Sequence, residues 1–168
     1  MRIIKPRLKI LYPTLLWIWI SLIFIFSSQT YHEQSIQPFL SEQLPIETAT
    51  KIVPDVTIHY GDGTIPAKES PYAFLEFVFR KSSHLFMYAV LGLLFCITLY
   101  NWIHKLFSSI LISVYMTGII ALLDEYNQYF NPDRTGRVQD VLLDLVGASL
   151  GIILYLSYNI YRARRSRP

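Results

Sequence analysis

Long apolar runs dominate the pattern of hydrophobic and polar positions along the chain. Four of them, at about residues 11–28, 83–103, 106–123 and 141–161, approach the length needed to cross a bilayer. A transmembrane α-helix needs about 20 mostly apolar residues, whereas the strands of a membrane barrel are short and alternate apolar with polar positions. The pattern therefore predicts an all-α membrane protein, with four transmembrane helices in a single domain over residues 1–168.

The segment between the first two runs, residues 30–70, is polar and contains four prolines. It has too few apolar residues for a core of its own, so we expect a long extracytoplasmic loop. Val56, Ile58 and Tyr60 alternate with polar residues before Gly61-Asp62-Gly63, which predicts a short β-hairpin in this loop. Ser70-Pro71 is typical of a helix start and predicts that the second helix begins ahead of its apolar run.

Composition supports the membrane interpretation, because 52% of the residues are hydrophobic and only 16% are charged. The one cysteine, Cys96, excludes a disulfide framework within the chain. We expect membrane lipids as partners, and neither a nucleic acid nor a cofactor. No pattern in the sequence identifies a protein partner.

Positive charge is concentrated at the two ends of the chain and in the short link between the second and third runs. These regions hold nine of the 15 Lys and Arg residues. Because short loops rich in Lys and Arg stay in the cytoplasm, we predict a multi-pass protein of the cell membrane with both termini cytoplasmic. A cleaved signal peptide is the alternative for the basic start, but the first run is long and has no A-x-A-like cleavage site.

Ionisable and polar side chains cluster where three of the apolar runs begin or end. The candidate binding residues are Lys81, His84, Tyr88, Asp124, Glu125, Gln128, Arg134, Asp140 and Asp144. A charged residue at a membrane helix centre costs about 2.5–3.5 kcal/mol on insertion scales, so such residues indicate pairing or function.

Helical spacing places these residues on two faces. Lys81, His84 and Tyr88 recur at three- and four-residue steps, as do Asp140 and Asp144 followed by Gly147 and Gly151. Small residues such as Gly147 and Gly151 allow close helix packing in lipid. We therefore expect the two faces to meet in a polar cleft at the outer end, with Asp124 and Glu125 on its third side.

Two functions fit such a cleft. In the first, Lys81 and Arg134 hold an anionic headgroup, such as that of a lipid-linked envelope precursor. In the second, a catalytic base acts on a lipid-linked phosphate or ester, and the candidates are His84, Asp124 and Glu125.

Structural interpretations also remain for the acids. Asp140 can cap a helix, and Asp124 with Glu125 can form an ion-pair latch with Lys81, Arg134 or Arg137. A metal site is not expected, because neither H-E-x-x-H nor paired histidine spacing occurs. A Ser–His dyad is not expected either, because Ser83 and His84 are adjacent and point to different sides of a helix.

Several short motifs follow one another in order along the four runs. They are Phe26-Ser27-Ser28-Gln29, Lys81-x-x-His84-x-x-x-Tyr88, Asp124-Glu125-x-x-Gln128, Pro132-x-Arg134, Asp140 and Gly147-Ala148-x-x-Gly151. In this order they resemble the VanZ-like family of membrane proteins. The resemblance implies an integral envelope protein, and the family's named member is associated with low-level teicoplanin resistance. Asp133 and Arg137 depart from the family, where glycine and a small residue are usual.

Overall fold

The computed structural model describes residues 6–61, 63–131, 134 and 136–165. Four of its helices are long and apolar enough to cross a membrane, which confirms the all-α membrane fold. The elements in chain order are α1 (Pro6–Ser27), α2 (Tyr31–Gln34), α3 (Gln37–Gln43), α4 (Ile46–Ile52), β1 (Thr57–Tyr60), β2 (Gly63–Pro66), α5 (Pro71–Ile103), α6 (Leu106–Tyr129) and α7 (Val138–Arg165).

Helix α5 is the central element and packs against α7, α6 and α1. Its contact with α7 is close because glycines lie at the crossing. A Cβ on Gly147 would lie 2.5 Å from the Leu85 carbonyl oxygen, and one on Gly92 would lie 2.6 Å from the Ala148 carbonyl oxygen. Any larger side chain there would separate the two helices, so glycine sets their distance.

The long helices extend beyond the apolar runs that predict them. Helix α5 has 33 residues and begins at Pro71, directly after the predicted Ser70 start. At 1.5 Å per residue it is about 50 Å long, which exceeds a hydrocarbon core of about 30 Å. It ends at a two-residue link in which His104 adopts φ 57°, so α6 returns antiparallel beside it.

The segment 30–70 has more order than the expected loop. Three short helices and a hairpin pack on the start of α5, where Val53, Ala67 and Phe74 form a small buried cluster. Phe74 belongs to α5, so the segment completes its core with a residue from the membrane helix. A capping box at Thr30 and Glu33 starts α2, and the Thr30 N–H donates to the Glu33 carboxylate at 2.7 Å.

The predicted hairpin is confirmed. Strands β1 and β2 pair antiparallel, with Tyr60 opposite Gly63. Gly61 has φ +58°, and Asp62 of the predicted turn lies outside the described residues. The Arg137 guanidinium donates to the Tyr60 carbonyl oxygen at 3.0 Å, and this bond ties the hairpin to the start of α7.

Candidate functional site

An ion pair between α5 and α7 lies under the hairpin. Lys81 donates to Asp140, which sits in the first turn of α7. The Tyr60 hydroxyl donates to the same carboxylate at 2.5 Å, and the Lys81 ammonium lies 4.3 Å from the centre of the Tyr60 ring. Burial, and then the Asp140 carboxylate, raise the pKa of the Tyr60 hydroxyl, so it remains a donor at neutral pH.

A second polar pair lies one helical turn deeper. His84 Nδ1 is 3.2 Å from Asp144 Oδ1, and Asp144 is fully buried. The Tyr88 ring stacks on His84, and its hydroxyl donates to Asp124 at 2.9 Å. These side chains form one polar layer between three helices. His84 and Tyr88 belong to α5, Asp124 to α6 and Asp144 to α7.

Glu125 links the end of α6 to the start of α7. Its carboxylate accepts the backbone N–H of Arg137 at 2.7 Å. We expected cations to compensate Asp124 and Glu125, yet neither acid forms an ion pair with Lys81, Arg134 or Arg137 in the described part of the chain. The reason is that Lys81 binds Asp140, while both arginines donate to other residues.

Four side chains of this layer could hold a metal ion. One ligand atom from each of His84, Asp124, Glu125 and Asp144 lies within 4.8 Å of the others. Asp124 Oδ1, Glu125 Oε1 and Asp144 Oδ2 are buried, and none has a hydrogen-bond partner among the described residues. The layer thus combines one imidazole with three carboxylates that each have an oxygen to offer.

A cavity of about 610 Å³ borders this layer on the side of α1. His84, Tyr88 and Asp124 form part of its wall, and Arg80, Gln128 and Arg134 also line it. The rest of the wall combines five apolar residues with polar ones that include two further acids, Glu33 and Glu76; the apolar residues are Ile23, Phe26, Phe79, Phe86 and Met87. Phe79 and Phe86 are 59% and 62% exposed, so the cavity adjoins a surface that faces lipid in a membrane.

Arg134 lies beside the end of α1. It donates to the Ser27 carbonyl oxygen at 3.1 Å and to the Gln34 side chain, while its Nε is buried and has no partner in the described structure. Burial, and then the nearby charge of Arg80, lower the pKa of the Arg134 guanidinium. Pro132 and Asp133, from the motif around Arg134, lie outside the described residues.

Arg80 is a cavity residue that the sequence analysis did not identify. It pairs with Glu76 at 3.2 Å and lies 4.7 Å from the centre of the Tyr31 ring. Glu76 in turn accepts from the Ser35 hydroxyl at 2.7 Å and fixes the segment 30–70 against α5. The spacing of Glu76 and Arg80, four residues apart on one helix, was the signal available in the sequence.

Lys81 and Arg134, which we expected to hold one anion together, lie in different surroundings in the described structure. Lys81 lies under the hairpin and is not among the described residues that line the cavity, whereas Arg134 is. Consecutive helical residues point about 100° apart, so Arg80 faces the cavity while Lys81 faces α7. The structure therefore places Arg80, rather than Lys81, in the cavity wall with Arg134.

Comparison with known proteins agrees with the resemblance found in the motifs. The family model described as VanZ/LLP1 matches residues 12–161, which include most of all four long helices. No curated protein and no solved structure gives a match. Because the family model covers most of its length, the chain belongs to the VanZ/LLP1 family.

Proposed function

We propose that this protein binds an anionic lipid, or a lipid-linked envelope precursor, through its headgroup in the cavity beside α1. The observation that carries the proposal is the cavity wall, in which Arg80 and Arg134 accompany an apolar surface formed by Ile23, Phe26, Phe79, Phe86 and Met87. A ligand with a charged headgroup and an apolar chain matches both parts.

Two cations of the cavity wall can bind an anion, although the wall also contains Glu33, Glu76 and Asp124, and Arg80 already pairs with Glu76. Arg80 and Arg134 carry like charges, and the proximity of Arg80 lowers the pKa of Arg134. A phosphate between them would relieve that repulsion and accept from the unpartnered Arg134 Nε. The planar guanidinium matches phosphate geometry, and hydrogen bonds between charged groups are stronger than neutral ones.

The binding test compares lipids that differ only in the headgroup. Native mass spectrometry of the purified protein should detect phosphatidic acid or a polyprenyl phosphate bound more tightly than diacylglycerol of the same chain length. We expect Arg134→Gln to weaken phosphate binding about tenfold to a hundredfold, since a charged hydrogen bond contributes about 1.5–3 kcal/mol. Arg162→Gln, which removes an exposed cation at the other end of α7, is the control. Equal binding by all three proteins would refute the proposal.

The proposal includes the orientation, with both termini in the cytoplasm and residues 30–70 outside. A Ser41→Cys protein that lacks Cys96 should react with an impermeant thiol reagent in intact cells, because Ser41 is exposed on α3. Cytoplasmic Arg164→Cys should react only after lysis. The reverse pattern would place the cavity on the cytoplasmic side.

Family membership also suggests a link to glycopeptide resistance. We propose that headgroup binding protects the envelope from teicoplanin. If so, the minimal inhibitory concentration of teicoplanin should fall to the level of cells lacking the protein when Arg134→Gln is expressed at normal abundance. Arg162→Gln should leave it unchanged.

Catalysis is the second candidate function, and the position of His84 and Asp124 in the cavity wall supports it. There, either residue could act as a general base on a bound phosphate or ester. Purified protein should then convert a labelled polyprenyl diphosphate with repeated turnover, and His84→Gln should abolish conversion without abolishing binding. Stoichiometric binding without product would favour the binding function alone.

A further inference from the structure

We infer that His84, Asp124, Glu125 and Asp144 bind one divalent metal ion, and that Zn²⁺ and Mn²⁺ are the ions that suit them. These four residues, here called the buried acid cluster, lie between α5, α6 and α7. The inference goes beyond the proposed lipid function and requires no lipid.

The geometry of the buried acid cluster is close to that of a metal site. Its four ligand atoms lie within 4.8 Å of one another. Ligands around one zinc ion at about 2.0–2.2 Å are separated by about 3.4 Å in a tetrahedron. Small side-chain rotations would bring the four atoms to these separations, because they come from neighbouring turns of three packed helices.

The unpartnered oxygens are the second observation. Asp124, Glu125 and Asp144 are 2%, 6% and 0% exposed, and each has one buried oxygen without a hydrogen-bond partner in the described structure. Buried polar groups are normally hydrogen-bonded, because an unsatisfied acceptor loses its hydration without compensation. These three oxygens therefore require a partner, and an ion bound at the centre of the cluster would supply it.

The other oxygens of these carboxylates are already held. Asp124 accepts from the Tyr88 hydroxyl, Glu125 from the backbone of Arg137, and Asp144 Oδ1 lies beside His84. Metal-binding carboxylates and histidines commonly have such outer partners, which orient them towards the ion. In each carboxylate, one oxygen has a protein partner and the other is left to bind the ion, as a metal ligand requires.

Charge also favours a divalent cation. The cluster has three carboxylates and one imidazole, while the ammonium of Lys81, three residues before His84 on α5, already pairs with Asp140. Imidazole suits transition metals and carboxylate suits harder ions, so a mixed set favours Zn²⁺ or Mn²⁺ over Ca²⁺ and Mg²⁺. The alternative is that the carboxyl groups are protonated and share hydrogen bonds among themselves.

The experiment measures metal binding directly. Full-length protein is purified in detergent without added lipid, treated with EDTA, dialysed and titrated with Zn²⁺ or Mn²⁺. We expect one ion per chain by elemental analysis, at least tenfold weaker binding of Ca²⁺ and Mg²⁺, and a higher unfolding temperature with the ion. His84→Gln and Asp144→Asn should each weaken binding at least tenfold. Glu47→Gln, which alters an exposed acid on α4, outside the cluster, should retain one ion.

Several outcomes would overturn the inference. They are the absence of saturable binding in the wild-type protein, equal affinity in the cluster variants, and an infrared band of protonated carboxyl groups that persists with excess Zn²⁺. Should Asp144→Asn fail to fold, the wild-type comparison of EDTA with Zn²⁺ still decides the question. The lipid assay depends on Arg134, which is outside the cluster, so either proposal can fail while the other holds.

Discussion

Replacing Gly151 with alanine is expected to lower the free energy of unfolding by about 3 kcal/mol or more, since overpacking costs about 1–3 kcal/mol even against side chains that can move. A Cβ at this position would overlap the Ala89 carbonyl oxygen of α5. That oxygen belongs to helical backbone and cannot rotate away, so α7 would have to separate from α5 along its length.

Gly118→Ala is the matched control for this effect. Gly118 also lies within a membrane helix, but a Cβ there would be 3.6 Å from a methyl group of Leu145, which is ordinary contact. Alanine is favoured over glycine in a helix by about 1 kcal/mol, so this variant should be neutral or more stable. Reaction of the buried Cys96 with a thiol-specific fluorophore during heating measures unfolding in both. Equal unfolding temperatures for the two variants would contradict the packing argument.

The membrane helices could be predicted because their signal is local. Each long apolar run became one helix, and the hairpin followed from alternation before Gly61. The apolar run of α6 stops at residue 123, so the predicted helix was too short. Polar residues such as Asp124 interrupt an apolar run without ending the helix. Helix α6 continues to Tyr129, and Asp124 is buried in its last turns.

The layout of the site was less predictable because it depends on how the helices rotate against each other. The steps from Asp140 to Gly151 indicated one face of α7, which packs on α5. However, charge alone could not decide whether Lys81 or Arg80 faces the cavity. The order of segment 30–70 was also hidden, since its buried cluster is completed by Phe74 of α5.

The sequence contains no metal motif because the proposed ligands come from different helices. Motifs such as H-E-x-x-H detect ligands that share one helix. In the buried acid cluster, His84, Asp124 and Asp144 come from three different helices, so their spacing in sequence has no fixed pattern.

Replacing Lys81 with methionine is expected to destabilise the protein by about 3 kcal/mol, the lower end of the cost of removing one partner of a buried ion pair, because the Lys81 side chain is 17% exposed. Asp140 would remain buried, with the Tyr60 hydroxyl as its donor. A double variant, Lys81→Met with Asp140→Asn, also removes the charge of Asp140. It should recover most of the lost stability, because asparagine needs no compensating cation.

Lys105→Met, which removes an exposed lysine from the link between α5 and α6, is the control and should unfold like the wild-type protein. The Lys81→Met variant also separates a structural role of Lys81 from a role in binding. Lys81 pairs with Asp140 beneath the hairpin. Folded Lys81→Met protein should therefore bind lipid phosphate within about twofold of wild type, a difference under about 0.5 kcal/mol. A loss of phosphate binding as large as that of Arg134→Gln, without any loss of stability, would instead show that Lys81 contacts the headgroup.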